Sequence, residues 1–222
     1  MSKDGIVSYR GLGSQNSYLI TSGEEHFLVD IGWPKAARQI LKRRSSFNLI
    51  VVTHRHYDHF GCARLVSQKT STPIVAYRRV KNKFIELPPF WQAAPYLLKS
   101  WIKQGFFLPQ LTDLKIDKQL IRVDRILKDE QFIDKRRSWQ VLHTPGHTSD
   151  SISLYCKKQG LLLAGDLLNN QFDYPHWGRL ITDYSAFLKT KTLLSKLDIK
   201  VVYPGHGQPF KVFRRLKRQL FE

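Results

Sequence analysis

The chain has 222 residues, 42% of them hydrophobic and 12% aromatic, with only 10 Pro and 13 Gly, which excludes a disordered or fibrous chain and leaves enough apolar surface for one full core. Lys and Arg number 36 against 18 Asp and Glu, a formal net charge of +18 that suits an anionic partner or a heavily solvated surface without choosing between them. Two cysteines, Cys62 and Cys156, make no disulfide framework, and the first residues carry no apolar signal-peptide core, so a cytoplasmic location is expected.

β-type runs at 17–20 and 26–31 flank Thr21-Ser22-Gly23-Glu24 and predict a hairpin. Pro34 opens a helical pattern through 36–41, which leads into a buried-strand candidate at 49–52. A helix over 60–68 and a strand over 73–77 follow. The segment at about 84–111 carries Phe90, Trp91, Tyr96, Trp101, Phe106 and Phe107 and reads as a helical insertion between the halves of a single domain spanning 1–222. As a wall over a pocket or a contact in a homodimer it would have a use, and plain packing is the competing reading. The apolar run 87–109 is interrupted by Pro88, Pro89, Pro95, Lys99, Lys103 and Gly105, so it is no transmembrane helix. Strands are expected at 139–142, 152–156, 161–164 and 200–203, with a helix over 185–197. In 211–222, Phe213, Leu216 and Leu220 recur at helical spacing among Arg214, Arg215, Lys217 and Arg218, which predicts a short amphipathic helix with a basic outer face.

The histidines carry the chemistry. Three of the eight lie in Thr53-His54-Arg55-His56-Tyr57-Asp58-His59, directly after the strand at 49–52. Two more follow Pro-Gly pairs at strand ends, Pro145-Gly146-His147 and Pro204-Gly205-His206. On a helix His54 and His56 would point about 200° apart, whereas in extended or looped backbone both imidazoles can reach one ion. Asp58 and His59, further along the loop, can then face a second point. Asp166 ends the apolar run Leu161-Leu162-Leu163-Ala164-Gly165, where a carboxylate needs a cation or hydrogen-bond donors. Two cations would generate hydroxide near neutral pH, because metals lower the pKa of water to roughly 7. Imidazole and carboxylate ligands suit Zn²⁺ best and Fe or Mn next.

His-x-His-x-Asp-His, then Pro-Gly-His-Thr, then Gly-Asp after an apolar strand, then a last Pro-Gly-His, resembles in that order the metallo-β-lactamase-fold hydrolase superfamily, over 16–206. The resemblance implies an α+β fold, a four-layer αβ/βα sandwich with two divalent metal ions at one edge of the sheets. It further implies that His54, His56 and His147 hold the first metal, that Asp58, His59 and His206 hold the second, and that Asp166 bridges them. Asp30 matches the family's early aspartate, which supports the ligand loop from behind. The polar stretch from Asn169 to Arg179 should overhang the metals, so His176, Trp177 and Arg179 are candidate substrate contacts. His26 and His143 match no motif, and Cys62 reads as a small buried residue.

The expected activity is hydrolysis of a small, anionic ester, thioester or lactone, with Asp58 the catalytic carboxylate. Thioester hydrolysis of the glyoxalase II kind fits the ligand set, although the sixteen residues after His206 leave no room for that family's glutathione-binding helical domain. Lactonases of the quorum-quenching type place a tyrosine three residues after the bridging aspartate, where this chain has Asn169. A β-lactamase proper is disfavoured. The basic charge keeps a nucleic-acid phosphodiesterase as the second reading, and a mononuclear iron enzyme resembling persulfide dioxygenases fits part of the motif.

Overall fold

Strands β1 (Gly5–Arg10), β2 (Asn16–Ser22) and β3 (Glu25–Val29) form an antiparallel meander, closed between β2 and β3 by the predicted tight turn. The computed structural model describes residues 4–11, 14–77, 123–171 and 174–221; the segment expected at 84–111 lies outside them. The sheet continues in parallel through β4 (Leu49–Val52), β5 (Ile74–Ala76) and β6 (Arg125–Ile126). Helix α1 (Pro34–Arg43) makes the crossover from β3 to β4, with Pro34 in its first turn and Lys42 and Arg43 in its last. The helix expected at 60–68 is instead two pieces, α2 (Tyr57–Phe60) and α3 (Ala63–Thr70), which together connect β4 to β5.

A second sheet runs in the order β13 (Phe210–Lys211), β12 (Val201–Pro204), β9 (Leu161–Gly165), β8 (Ile152–Cys156) and β7 (Gln140–His143), with β12 and β9 parallel and the other neighbours antiparallel. Helix α4 (Tyr184–Ser195) begins on an Asp183 cap, whose carboxylate accepts the Ala186 amide at 2.9 Å. Helix α5 (Arg214–Phe221) starts later than the expected 211, because Lys211 is drawn into β13. Within the polar stretch 169–179, Asn169 and His176–Trp177 are paired in a short ribbon, β10 (Leu168–Asn169) against β11 (His176–Trp177).

The side-chain period of two sorts these strands into layers. Leu49 and Val51 of β4, with Phe27 and Val29 of β3, face Ile152, Leu154 and Leu163 of the other sheet in one buried cluster. Ile50, Val52 and Leu28 point the other way, onto Ala37 and Ile40 of α1 and Ala63 and Val66 of α3. In the second sheet Leu162, Ala164 and Val202 turn outward onto Phe187 and Leu194 of α4 and Leu216 and Leu220 of α5. The result is the expected α+β sandwich of four layers: helices, sheet, sheet, helices. Each buried Leu, Ile or Phe contributes roughly 1.5–3 kcal/mol, so the three clusters hold the sheets' edges rigidly enough to carry a site. No helix of the described residues is long and apolar enough to cross a membrane.

Candidate metal centre

The site forms where β4, β7, β9 and β12 stop. Thr53 O accepts the Ile152 amide at 2.9 Å and so ties the end of β4 in one sheet to the start of β8 in the other. His54 and His56 leave β4 in irregular backbone, as expected, but Asp58 and His59 sit in the single turn of α2 rather than in a loop. That turn is docked by Ile31 N, which donates to His59 O at 2.7 Å, and by Gly32, where a Cβ would fall 1.5 Å from Asp58 O. His147 follows β7, Asp166 follows β9 and His206 follows β12.

The seven side chains converge as two groups that share Asp166. In the first, His147 Nε2 faces His56 Nδ1 at 2.9 Å, and Asp166 Oδ2 lies 3.6 Å from His147 Nε2 and 4.0 Å from His54 Nε2. In the second, His206 Nε2 lies 3.2 Å from Asp58 Oδ2 and His59 Nε2 lies 3.8 Å from it. Asp166 Oδ1 is 3.2 Å from His59 Nε2 and 3.5 Å from His206 Nε2. Within His54, His56, His147 and Asp166, and within Asp58, His59 and His206, one ligand atom per residue lies inside 4.8 Å of all the others. The Asp58 side chain is 30% exposed while those of His54, His59, His147, Asp166 and His206 are 12% or less, so the centre opens to solvent on the Asp58 side.

The imidazoles are oriented from behind. Asp30 takes a left-handed backbone (φ 54°), held there by its carboxylate: Oδ1 accepts Thr53 N at 2.8 Å, and Oδ2 accepts Thr53 Oγ1 at 2.7 Å and His59 Nδ1 at 2.8 Å. His59 therefore turns Nε2 to the centre. Thr53 Oγ1 donates its one hydrogen bond to Asp30, so at 3.1 Å from His54 Nδ1 it accepts, and His54 presents an unprotonated Nε2. His147 Nδ1 donates to Leu180 O with the same outcome. Hydrogen-bonded rear nitrogens are the usual way a protein sets the tautomer of a metal-binding histidine.

The charges divide along the same line. Burial and the neighbouring His59, His56 and His147 rings push His54 well below the usual histidine range, and burial takes His147 down to about 4. Burial would also depress His59 and His206, yet the carboxylates around them, Asp166 foremost, hold both well above it. Burial would raise the two acids, but His59 and His206 bring Asp58 down to about 2 and hold Asp166 well below the carboxylate range. His54 Nε2 is buried with no hydrogen-bond partner among the described residues, a costly state for a lone pair. Imidazole nitrogens and carboxylate oxygens converging in this way fit a divalent metal.

The stretch holding His176, Trp177 and Arg179 runs beside Asp166: Gly178 N donates to Leu167 O at 2.8 Å, and a Cβ on Gly178 would fall 2.2 Å from Asp166 O. The Trp177 indole donates to Leu220 O at 2.7 Å and packs edge-on against Phe187 and Phe221, so it serves the helix layer. His176 Nδ1 and Arg179 both bond Tyr174, the former through its carbonyl at 3.0 Å. His143 closes β7 and stacks on Tyr77 at 4.1 Å, while His26 Nδ1 lies 3.2 Å from Thr21 Oγ1. Cys62 is buried, and burial pushes its thiol up to about 11, which excludes a thiolate at neutral pH.

Three supports escaped the sequence reading. Asn16 bonds the turn before His206: its amide donates to Gly205 O at 2.8 Å, and its Nδ2 donates to Pro204 O at 3.1 Å and Gly207 O at 2.6 Å. Asn169 Oδ1 accepts His206 N at 3.2 Å. Arg55 Nε meets Asp150 Oδ2 at 2.8 Å, and Asp150 Oδ1 accepts Thr148 Oγ1, so the His54–His56 loop is bolted to the turn after His147. Only Arg55 carried a signal, its place between two site histidines.

The sequence model of the Metallo-beta-lactamase superfamily matches residues 10–206. The chain belongs to this superfamily, whose members bind divalent metals, and it is of the metal-dependent hydrolase class. "Probable metallo-hydrolase YqjP" of Bacillus subtilis (strain 168) is 27% identical over 261 residues, covering 100% of this chain and 77% of that protein. "Beta-lactamase-like protein 2 homolog" of Drosophila melanogaster is 26% identical over 88% of this chain, which spans 59% of its length. Among solved structures, TTHA1623 in a di-iron-bound form superposes with a TM-score of 0.65 at 24% identity, covering 96% of each chain. ST1585 from Sulfolobus tokodaii gives 0.65 at 18% identity, with 98% of this chain and 85% of that one covered. Both likenesses concern the fold.

Proposed function

We propose that this chain is a dinuclear hydrolase of small esters, thioesters or lactones, with a preference for anionic substrates. His54, His56 and His147 hold one divalent ion, Asp58, His59 and His206 hold the other, and Asp166 joins them; Zn²⁺ is the first candidate, ahead of Fe and Mn. The observation that carries this reading is the division of one carboxylate: Asp166 Oδ2 faces His147 and His54 while Oδ1 faces His59 and His206. When bound, the metal pair would lower the pKa of water and polarise the substrate's carbonyl oxygen.

The chain's own residues do the rest. Asp58, the most open member of the set and ionised at neutral pH, is placed to take the proton of attacking water. Asp166 is buried and tied between four imidazoles, which keeps the two halves of the site at fixed separation. The surplus of cations over the molecule draws anionic substrates by long-range attraction, an effect that salt would weaken.

The test is elemental analysis of the purified protein followed by a panel of thioesters, lactones, phosphodiesters and RNA. Two metals per chain with turnover of carboxylic esters or thioesters supports the proposal. A single iron per chain, or turnover confined to phosphodiesters, overturns it.

A further inference from the structure

A basic, partly apolar surface lies outside the metal centre. Between residues 184 and 221 there are nine Lys or Arg and a single acid, Asp198, itself 3.6 Å from Lys200. The nearest carboxylate before this stretch, Asp183, is engaged in capping α4. Helices α4 and α5 share one layer on the outer face of the second sheet, because Phe187 and Leu194 of the first are buried in the same cluster as Leu216, Leu220 and Phe221 of the second. Their other sides are exposed among the described residues. On α4 Tyr184 (67% exposed) and Leu188 (45%) are one helical turn apart on the outward side, while Lys189 and Leu193 (37%) line a groove shared with His143 and Pro145. On α5 they are Arg214, Arg215 and Arg218, and Phe213 just before the helix is 63% exposed.

We propose that this outer α4–α5 face docks on an anionic phospholipid bilayer. Clustered cations on a short amphipathic helix are attracted to acidic headgroups at about 1 kcal/mol each, and exposed Phe, Leu and Tyr side chains gain by entering the headgroup–acyl boundary. The exposed aliphatic Leu188 favours a bilayer over nucleic acid as the partner. A phosphodiester backbone would use the cations, and bases could stack on Phe213 or Tyr184, but neither gives an exposed leucine a favourable contact. The surface is separate from the metal centre, so its failure would leave the hydrolase reading untouched.

The full-length, metal-loaded protein is floated with phosphatidylcholine vesicles and with vesicles of phosphatidylcholine and phosphatidylglycerol. Association with the anionic vesicles alone, reversed by high salt, is expected. The triple variant Arg214→Gln, Arg215→Gln, Arg218→Gln should lower the partition coefficient by about a hundredfold. The double variant Leu188→Ser, Phe213→Ser should weaken binding with no change in charge. Unchanged circular dichroism and ester turnover in both variants exclude misfolding. Equal partition into both vesicle types, full retention by the triple variant, or displacement of the protein from vesicles by RNA at equal phosphate overturns the proposal.

Discussion

The Asp30 carboxylate holds His59 from behind: Oδ2 lies 2.8 Å from His59 Nδ1, and this one contact settles that Nε2 faces Asp166 and Asp58. Asp30→Asn keeps the shape but removes the charge and turns an acceptor toward Thr53 into a competing donor. Partners of this kind are worth 10–100-fold in metal affinity. A chelator-competition titration should show a loss of about that size, and wild-type affinity in the variant would contradict the role given to Asp30.

Asp58→Ala should abolish hydrolysis while leaving the fold intact, because the side chain is partly exposed and packs no core. Bound metal is expected to fall from two ions per chain toward one, read by elemental analysis alongside a circular-dichroism spectrum. Ester or thioester turnover that persists in this variant with metal removed would sink the proposed chemistry.

Gly205 lies against the shared carboxylate: a Cβ there would fall 2.1 Å from Asp166 Oδ1 and 2.9 Å from the Gly165 backbone. Gly205→Ala has no room without displacing Asp166, so activity and the second ion should be lost together. A crystal structure of an active Gly205→Ala protein with Asp166 unmoved would refute this.

Arg55 and Asp150 form a mostly buried ion pair, their side chains 14% and 3% exposed. Removing one partner strands the other charge, which costs about 3–5 kcal/mol for buried pairs and less here because Arg55 retains some solvent. Asp150→Ala should therefore lower the denaturation midpoint and weaken metal uptake through the His54–His56 loop. A stability change within about 0.5 kcal/mol, the range of ordinary surface substitutions, would show the pair to be idle.

The metal-free and metal-loaded proteins should respond to pH with opposite signs. In the metal-free chain His59 and His206 titrate well above the ordinary value near 6.5. Their contribution to stability is fully present below that value and is lost as pH rises through their folded pKa values. His54 and His147 are depressed, the latter to about 4, so they act only below 6.5, where their neutral burial costs stability as pH falls. Of these four histidines only the first pair contributes above pH 6.5, and at alkaline pH the buried Cys62 thiol, pushed up to about 11, adds a loss of the same sign. Melting curves of chelator-stripped protein should drop in midpoint with rising pH, while protein in a fixed excess of Zn²⁺ should gain, because ligation releases those protons. Parallel trends in the two samples would be the contrary result.

Eight of the thirteen described strands, the helical crossover and the His and Asp residues that gather at the candidate centre were legible locally, because each has a short-range signature. A buried strand is a run such as Leu49-Ile50-Val51-Val52, and a strand end that presents a side chain is marked by Pro-Gly or Gly-Asp. What lay beyond reach was non-local. β1, β6, β10, β11 and β13 are strands only because a neighbour offers them hydrogen bonds, and Lys211 left the predicted helix to pair with β12. The packing of Trp177 on Phe187 and Phe221, and its bond to Leu220 O, likewise had no local signal.

The sequence by itself therefore determined most of the elements and which side chains could act, since apolar runs and histidines at strand ends are written in adjacent residues, whereas the four-layer pattern was implied only by the family resemblance. Tertiary structure alone decided how they combine. The division of Asp166 between two groups, the tautomer of His147 set by Leu180, and the anchoring of the His206 turn by Asn16 across more than 180 residues are contacts between distant segments, made only when the strand ends of both sheets are brought to one edge.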